Sequence, residues 1–106
     1  MTAERFTRLH RLLHFLAACP QTRTAVTRRF HLDVRGFYRD LELLRASGIE
    51  VTLTRGRYAL AEGVEEAAAR LPFPDPHWTL GEARQVAKGR TAAHRKLKGL
   101  IKDLLS

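Results

Sequence analysis

Between Asp33 and Leu60 the spacing of apolar residues changes from three-and-four to two, which restricts this stretch to a helix running straight into a β-hairpin. Val34, Phe37, Leu41 and Leu44 recur at helical spacing and are expected to face inward, with Asp33 as N-cap and Gly48 as the left-handed terminus. Glu50 to Thr54 then alternates as a strand. Arg55-Gly56 turns the chain, and Arg57 to Leu60 returns as the partner strand.

Upstream, Phe6, Leu9, Leu12, Leu13, Leu16 and Ala17 give Ala3 to Ala18 the stripe of an amphipathic helix that Pro20 stops. Thr22 or Thr24 can cap a short second helix to about Arg29, with Ala25, Val26 and Phe30 as its buried side. His31-Leu32 is then a tight connection. Three helices followed by a two-stranded wing is the order of a winged helix-turn-helix, so the fold class expected is mainly α, with a helical extension at the C-terminal end.

Past Glu62 the pattern changes. Val64 to Leu71 holds two helical turns. Three prolines between Pro72 and Pro76 exclude helix and central strand, so 71–78 is a linker, anchored by Phe73 and Trp78. Thr79 and Glu82 have capping-box spacing for a helix to about Lys88, ended by Gly89. Thr91 can cap a last helix with Ala93, Leu97, Leu100, Ile101, Leu104 and Leu105 on one side and Arg95, Lys96, Lys98 and Lys102 on the other. The division expected is 1–61 as the winged helix-turn-helix domain and 62–106 as proline-rich linker and helical extension.

At 106 residues the chain supports one modest core. Its net charge of +8 is uneven: residues through Arg57 hold eleven arginines against five acids, and the rest holds eight bases against six. That field attracts polyanions to the N-terminal half. No apolar run approaches the roughly 18 residues of a bilayer span, so no membrane partner is expected. The single cysteine, Cys19, has no intrachain partner for a disulfide, which agrees with a reducing compartment; the expected location is cytoplasmic and nucleoid-associated.

A helix in the DNA major groove buries one stripe in its own domain and presents long polar side chains from its first turns. At about 100° per residue, Arg35, Tyr38, Arg39 and Glu42 lie opposite Phe37 and Leu44. Arg35 is suited to a bidentate guanine contact, and Tyr38 and Arg39 to phosphate or base-step contacts. Gly36 costs about 1 kcal/mol against alanine inside a helix, which fits either a close approach to DNA or simple tolerance. Arg55 and Arg57 flank Gly56 at the wing tip, placed for an adjacent groove or backbone. Thr22 and Thr24 at the start of the second helix can meet a phosphate.

The string LDVRGFYRDLELLRASGIEV followed by RGRYAL resembles the N-terminal winged helix-turn-helix of bacterial WYL-domain transcription regulators of the DeoR type, closely over 32–60 and more loosely before that. LPFPDPHWTLGEARQVAKG is similar to the proline-rich exit and linker helix of that family. The resemblance implies sequence-specific binding of double-stranded DNA by the third helix. Arg35 and Arg39 fall on the two arginines of the motif, and Asp40 on an aspartate that organises neighbouring arginines. Asp33 stands where the family has serine, Gly36 where it has threonine, and His31 where a turn glycine is common. A ligand-sensing WYL domain usually follows; 106 residues leave no room for one, so the sequence is either a stand-alone regulator or a fragment.

The stripe Leu97, Leu100, Ile101, Leu104 and Leu105 is expected to form a homodimer, the alternative being that it packs on the first helix of its own chain. His10 and His14 sit one helical turn apart but lack further ligands at metal spacing, so no metal is expected. The two serines lack a histidine and acid arrangement, and the glycines are scattered, so neither an enzyme nor a cofactor is expected. Two other readings stay open: a winged helix used for protein interaction or assembly, and a nonspecific nucleic-acid binder.

Overall fold

The computed structural model describes residues 2–74, 78–88 and 92–106. The first helix, α1 (Ala3–Ala18), is capped by Thr2 and buries Phe6, Leu9, Leu12, Leu13 and Leu16. Ala17, expected on that stripe, is exposed beyond its last buried turn. Thr22 closes a two-residue strand, β1 (Gln21–Thr22), and also caps α2 (Arg23–Phe30) by accepting from the Ala25 amide. Val26 is buried, and Ala25 and Phe30 are partly covered. The helix ends at His31, whose φ of 53° is left-handed; the Leu32 amide closes the turn on the Thr27 carbonyl at 2.9 Å. The notch in the chain that glycine commonly fills is therefore made here by a histidine in a conformation unfavourable for side-chain-bearing residues.

Helix α3 (Val34–Ala46) starts at Asp33, whose carboxylate accepts from the Gly36 amide at 2.6 Å. At its other end Gly48 has φ 79°, and the amides of Gly48 and Ile49 bond the carbonyls of Arg45 and Leu44, satisfying the end of the helix. Phe37, Leu41 and Leu44 are buried as the spacing predicts. Val34 is a correction: it is 49% exposed, because it stands at the edge of the stripe, a turn ahead of Phe37, where α3 projects past the core.

The hairpin consists of β2 (Val51–Thr54) and β3 (Arg57–Leu60), joined by Arg55 and Gly56, both with positive φ. Two positive φ values give the turn a twist matching the strands. The sheet has three strands rather than the expected two: β3 is central, pairing antiparallel with β2 and, through Gln21↔Tyr58 and Thr22↔Arg57, with β1. The molecule is thus mainly helical with a small antiparallel sheet.

Residues 62–106 are not peripheral to this core. Helix α4 (Val64–Ala69) contributes Ala67 and Ala68, followed by Leu71 and Phe73. The Phe73 ring meets Phe6 of α1 edge-on at 5.5 Å. Its amide donates to the Trp78 carbonyl at 2.8 Å, so the anchoring expected of Phe73 and Trp78 is present. Thr79 and Glu82 form the capping box of α5 (Leu80–Ala87). Gly81, on the first turn of α5, lies against Ala69, so the two helices pack almost backbone to backbone. The expectations for Gly89, Thr91 and the prolines' centre at 75–77 lie outside the described residues.

The last helix, α6 (Ala92–Leu105), lies along α5 and α1. Ile101 is buried, Leu97, Leu104 and Leu105 pack against the core, and the Thr7 hydroxyl donates to the Leu104 carbonyl at 2.8 Å. The stripe expected to hold a dimer is therefore used inside the chain, leaving Leu100, 49% exposed, facing away. Among the described residues no helix is long and apolar enough to cross a membrane.

Candidate functional site

The outer side of α3 carries free positive charge. Arg35, Tyr38 and Arg39 are exposed, one face away from buried Phe37, Leu41 and Leu44. Several arginines of the molecule are engaged within the chain. Arg5 and Arg8 bind Asp40, Arg45 reaches the Val51 carbonyl, and Arg70 binds Glu62 and the Gly48 carbonyl. By contrast, the guanidiniums of Arg35, Arg39, Arg55 and Arg57 have no ion pair or hydrogen bond among the described residues. They are exposed. An exposed guanidinium that its own chain leaves unpaired keeps five donors for an external anion.

Asp40 explains how α3 is held. It lies on the buried face, 1% exposed, and accepts from Arg5 Nε at 3.1 Å, Arg8 Nε at 2.8 Å and Arg8 Nη2 at 2.9 Å. The bond to Asp40 raises the pKa of Arg8 further above its ordinary value. Arg5 also donates to the Arg39 carbonyl at 3.3 Å. Two arginines of α1 thus grip α3 from behind through Asp40.

Tyr38 joins the site's parts. Its hydroxyl accepts from Arg23 Nη1 at 3.1 Å, and the Arg23 guanidinium lies 5.9 Å from its ring centre. Hydrogen bonding from Arg23, and secondarily from Tyr58, lowers the Tyr38 hydroxyl below the usual tyrosine value, whereas burial raises that of Tyr58. Phe37 packs edge-on against Tyr58 at 5.0 Å. The first residue of α2, the middle of α3 and the central strand therefore meet around one tyrosine pair.

Thr22, Arg23 and Thr24 also line a hollow of about 280 Å³ with Leu53, Gly56 and Tyr58, which brings the start of α2 against the hairpin. Thr22 itself is committed to capping, its hydroxyl accepting from Ala25 at 3.1 Å, whereas Thr24 is exposed. Gly36 is only partly covered; a Cβ there would come within 3.0 Å of the Asp33 carboxylate. Its lack of a side chain accommodates the cap, a reason independent of any ligand.

Arg23 was not among the residues expected in the site. A signal existed: it is a cation in the first turn of a helix that has no acidic residue there, opposed by the helix dipole. At that position its guanidinium is held by the Tyr38 hydroxyl. Among the described residues no three His, Cys, Asp or Glu side chains converge as metal ligands would. No protein-family model, curated protein or solved structure matches the chain.

Proposed function

We propose that the chain is a sequence-specific, double-stranded DNA-binding transcription regulator with the winged helix-turn-helix arrangement of the WYL-domain type. In this reading α3 enters the major groove, with Arg35 on base edges and Arg39 and Tyr38 at the groove wall. The 54–57 turn lies on the adjacent groove or backbone. The observation that carries the reading is that Arg35 and Arg39 on the outer face of α3 and Arg55 and Arg57 at the hairpin are exposed and make no ion pair or hydrogen bond among the described residues. Thr24 and Arg23 at the start of α2 extend the same surface through the Tyr38 contact.

The experiment is selection of bound duplexes from a random pool at physiological salt. One enriched motif, with binding to it falling steeply as salt rises, is the expected outcome. Failure to enrich any sequence removes the specific reading.

A second reading, a protein interaction module, draws on Val34, Tyr38 and Leu53, three large apolar or aromatic side chains exposed on α3 and β2. It requires sequence-indifferent DNA binding together with a stable protein complex. A homodimer through α5 and α6 would have to be built on exposed Val86 and Leu100, since the rest of the α6 stripe is engaged within the chain.

A further inference from the structure

We propose that the groove across the outer side of α1, between the C-terminal ends of α2 and α6, binds a small organic anion, an acidic group carried on an aromatic body. The proposal shares no residue with the α3 and hairpin surface and stands independently of the DNA-binding reading.

The central hollow holds about 680 Å³, within the range of small-molecule sites. Its floor on α1 is His10, Arg11, His14 and Phe15, and Arg29, Phe30 and Leu105 complete it from α2 and α6. No carboxylate lines it. An adjoining hollow of about 560 Å³ shares Arg11, Arg29 and Phe30, and its carboxylates, Glu4 and Asp103, belong to that outer part. Four basic or titratable side chains thus surround an apolar wall with nothing acidic among them.

The acidic group of the ligand is specified by the two arginines. Arg11 is exposed and has no hydrogen bond or ion pair among the described residues. Arg29 is exposed; among the described residues its guanidinium makes no hydrogen bond or ion pair and lies 6.0 Å from the centre of the Phe15 ring. Both retain their donor sets, and guanidinium pairs match the geometry of carboxylate or phosphate oxygens.

The aromatic body follows from the wall. Phe15 and Phe30 meet edge-on at 5.7 Å and are only partly covered, and the His10 and His14 rings lie 4.8 Å apart. A flat ring laid here would gain edge and face contacts and the cation above Phe15, which an inorganic anion cannot use.

The test is an NMR titration of the whole 15N-labelled chain at pH 7 with 2-naphthoate, its neutral carboxamide, inorganic phosphate and a short DNA duplex. Saturable shifts from naphthoate are expected at amides 10–15, 29–31 and 105, with carboxamide and phosphate each binding at least about tenfold more weakly. Arg11→Gln together with Arg29→Gln should weaken naphthoate by at least about tenfold while the amides of α3 and the hairpin keep their positions. The proposal is overturned if naphthoate does not saturate, if either control ligand binds as well, or if the double variant binds unchanged. It is equally overturned if naphthoate shifts fall on α3 and the hairpin, or if the duplex occupies the groove and displaces naphthoate, which would make this a backbone-binding surface.

Discussion

Asp40 holds a carboxylate within the apolar side of α3, at 1% exposure, and its three hydrogen bonds to Arg5 and Arg8 are what make that position tolerable. Breaking a fully buried pair by removing one partner costs about 3–5 kcal/mol. Here the arginine side chains keep 34% and 29% of their exposure, so they can rehydrate. Asp40→Ala should therefore destabilise the fold by about 2 kcal/mol in urea unfolding, a discount on the fully buried case. The position was legible, since Asp40 falls three residues after Phe37 and one before Leu41, on the stripe. Its partners were not, because nothing local relates residue 40 to α1. His10 gives a pH signature. Half-burial, then the nearby charges of His14 and Arg84, lower its pKa below the ordinary 6.5, with Glu65 opposing. The unfolded chain thus takes up this proton first as pH falls. Its contribution is full above about 6.5 and is lost toward the lower folded value. His10→Gln should flatten the decline of stability between pH 7 and 5, as followed by thermal unfolding.

At the scale of elements, the glycines inside helices separate packing from propensity. A Cβ on Gly81 would come within 3.0 Å of the Ala69 carbonyl oxygen, backbone that cannot swing aside, whereas one on Gly99 meets nothing within 4 Å. Gly81→Ala should cost about 2 kcal/mol through overpacking of α4 on α5. Gly99→Ala should stabilise by about 1 kcal/mol through helix propensity. Denaturant midpoints of the two variants should move in opposite directions. Gly36 tests coupling at the start of α3. Alanine there gains about 1 kcal/mol of propensity but crowds the Asp33 carboxylate, whose cap is worth a similar amount. Near-neutral in the native sequence, Gly36→Ala should stabilise by about 1 kcal/mol once Asp33→Ala has removed that carboxylate. Elements with their own caps and periodicity, α1, α3, α5 and the hairpin, were legible in the sequence. Strand β1 was not, because two residues show no alternation and its pairing to β3 joins Gln21 to Tyr58 and Thr22 to Arg57, far apart in the chain. Val34 was misplaced for a related reason: periodicity gives a face but not where the covering core ends.

For the molecule as a whole, charge and core are arranged differently along the chain. The core runs through both halves, joining Phe6 of α1 to Phe73 and Ile101, so residues 62–106 support the N-terminal half rather than trail from it. Free arginines lie on α3, at the hairpin tip and in the α1 groove, which gives the molecule separate cationic surfaces. Their exposure was readable from helical angles, but which arginines were already paired depended on long-range contacts such as Arg8 with Asp40. The central claim is that the outer face of α3 reads DNA, and duplex affinity of Arg35→Ala combined with Arg39→Ala, at fixed physiological salt on the best selected sequence, tests it most directly. Loss of at least about 2 kcal/mol, with a shallower salt dependence and an unchanged unfolding midpoint, is the predicted result. Unchanged affinity and salt dependence in a folded double variant would contradict it.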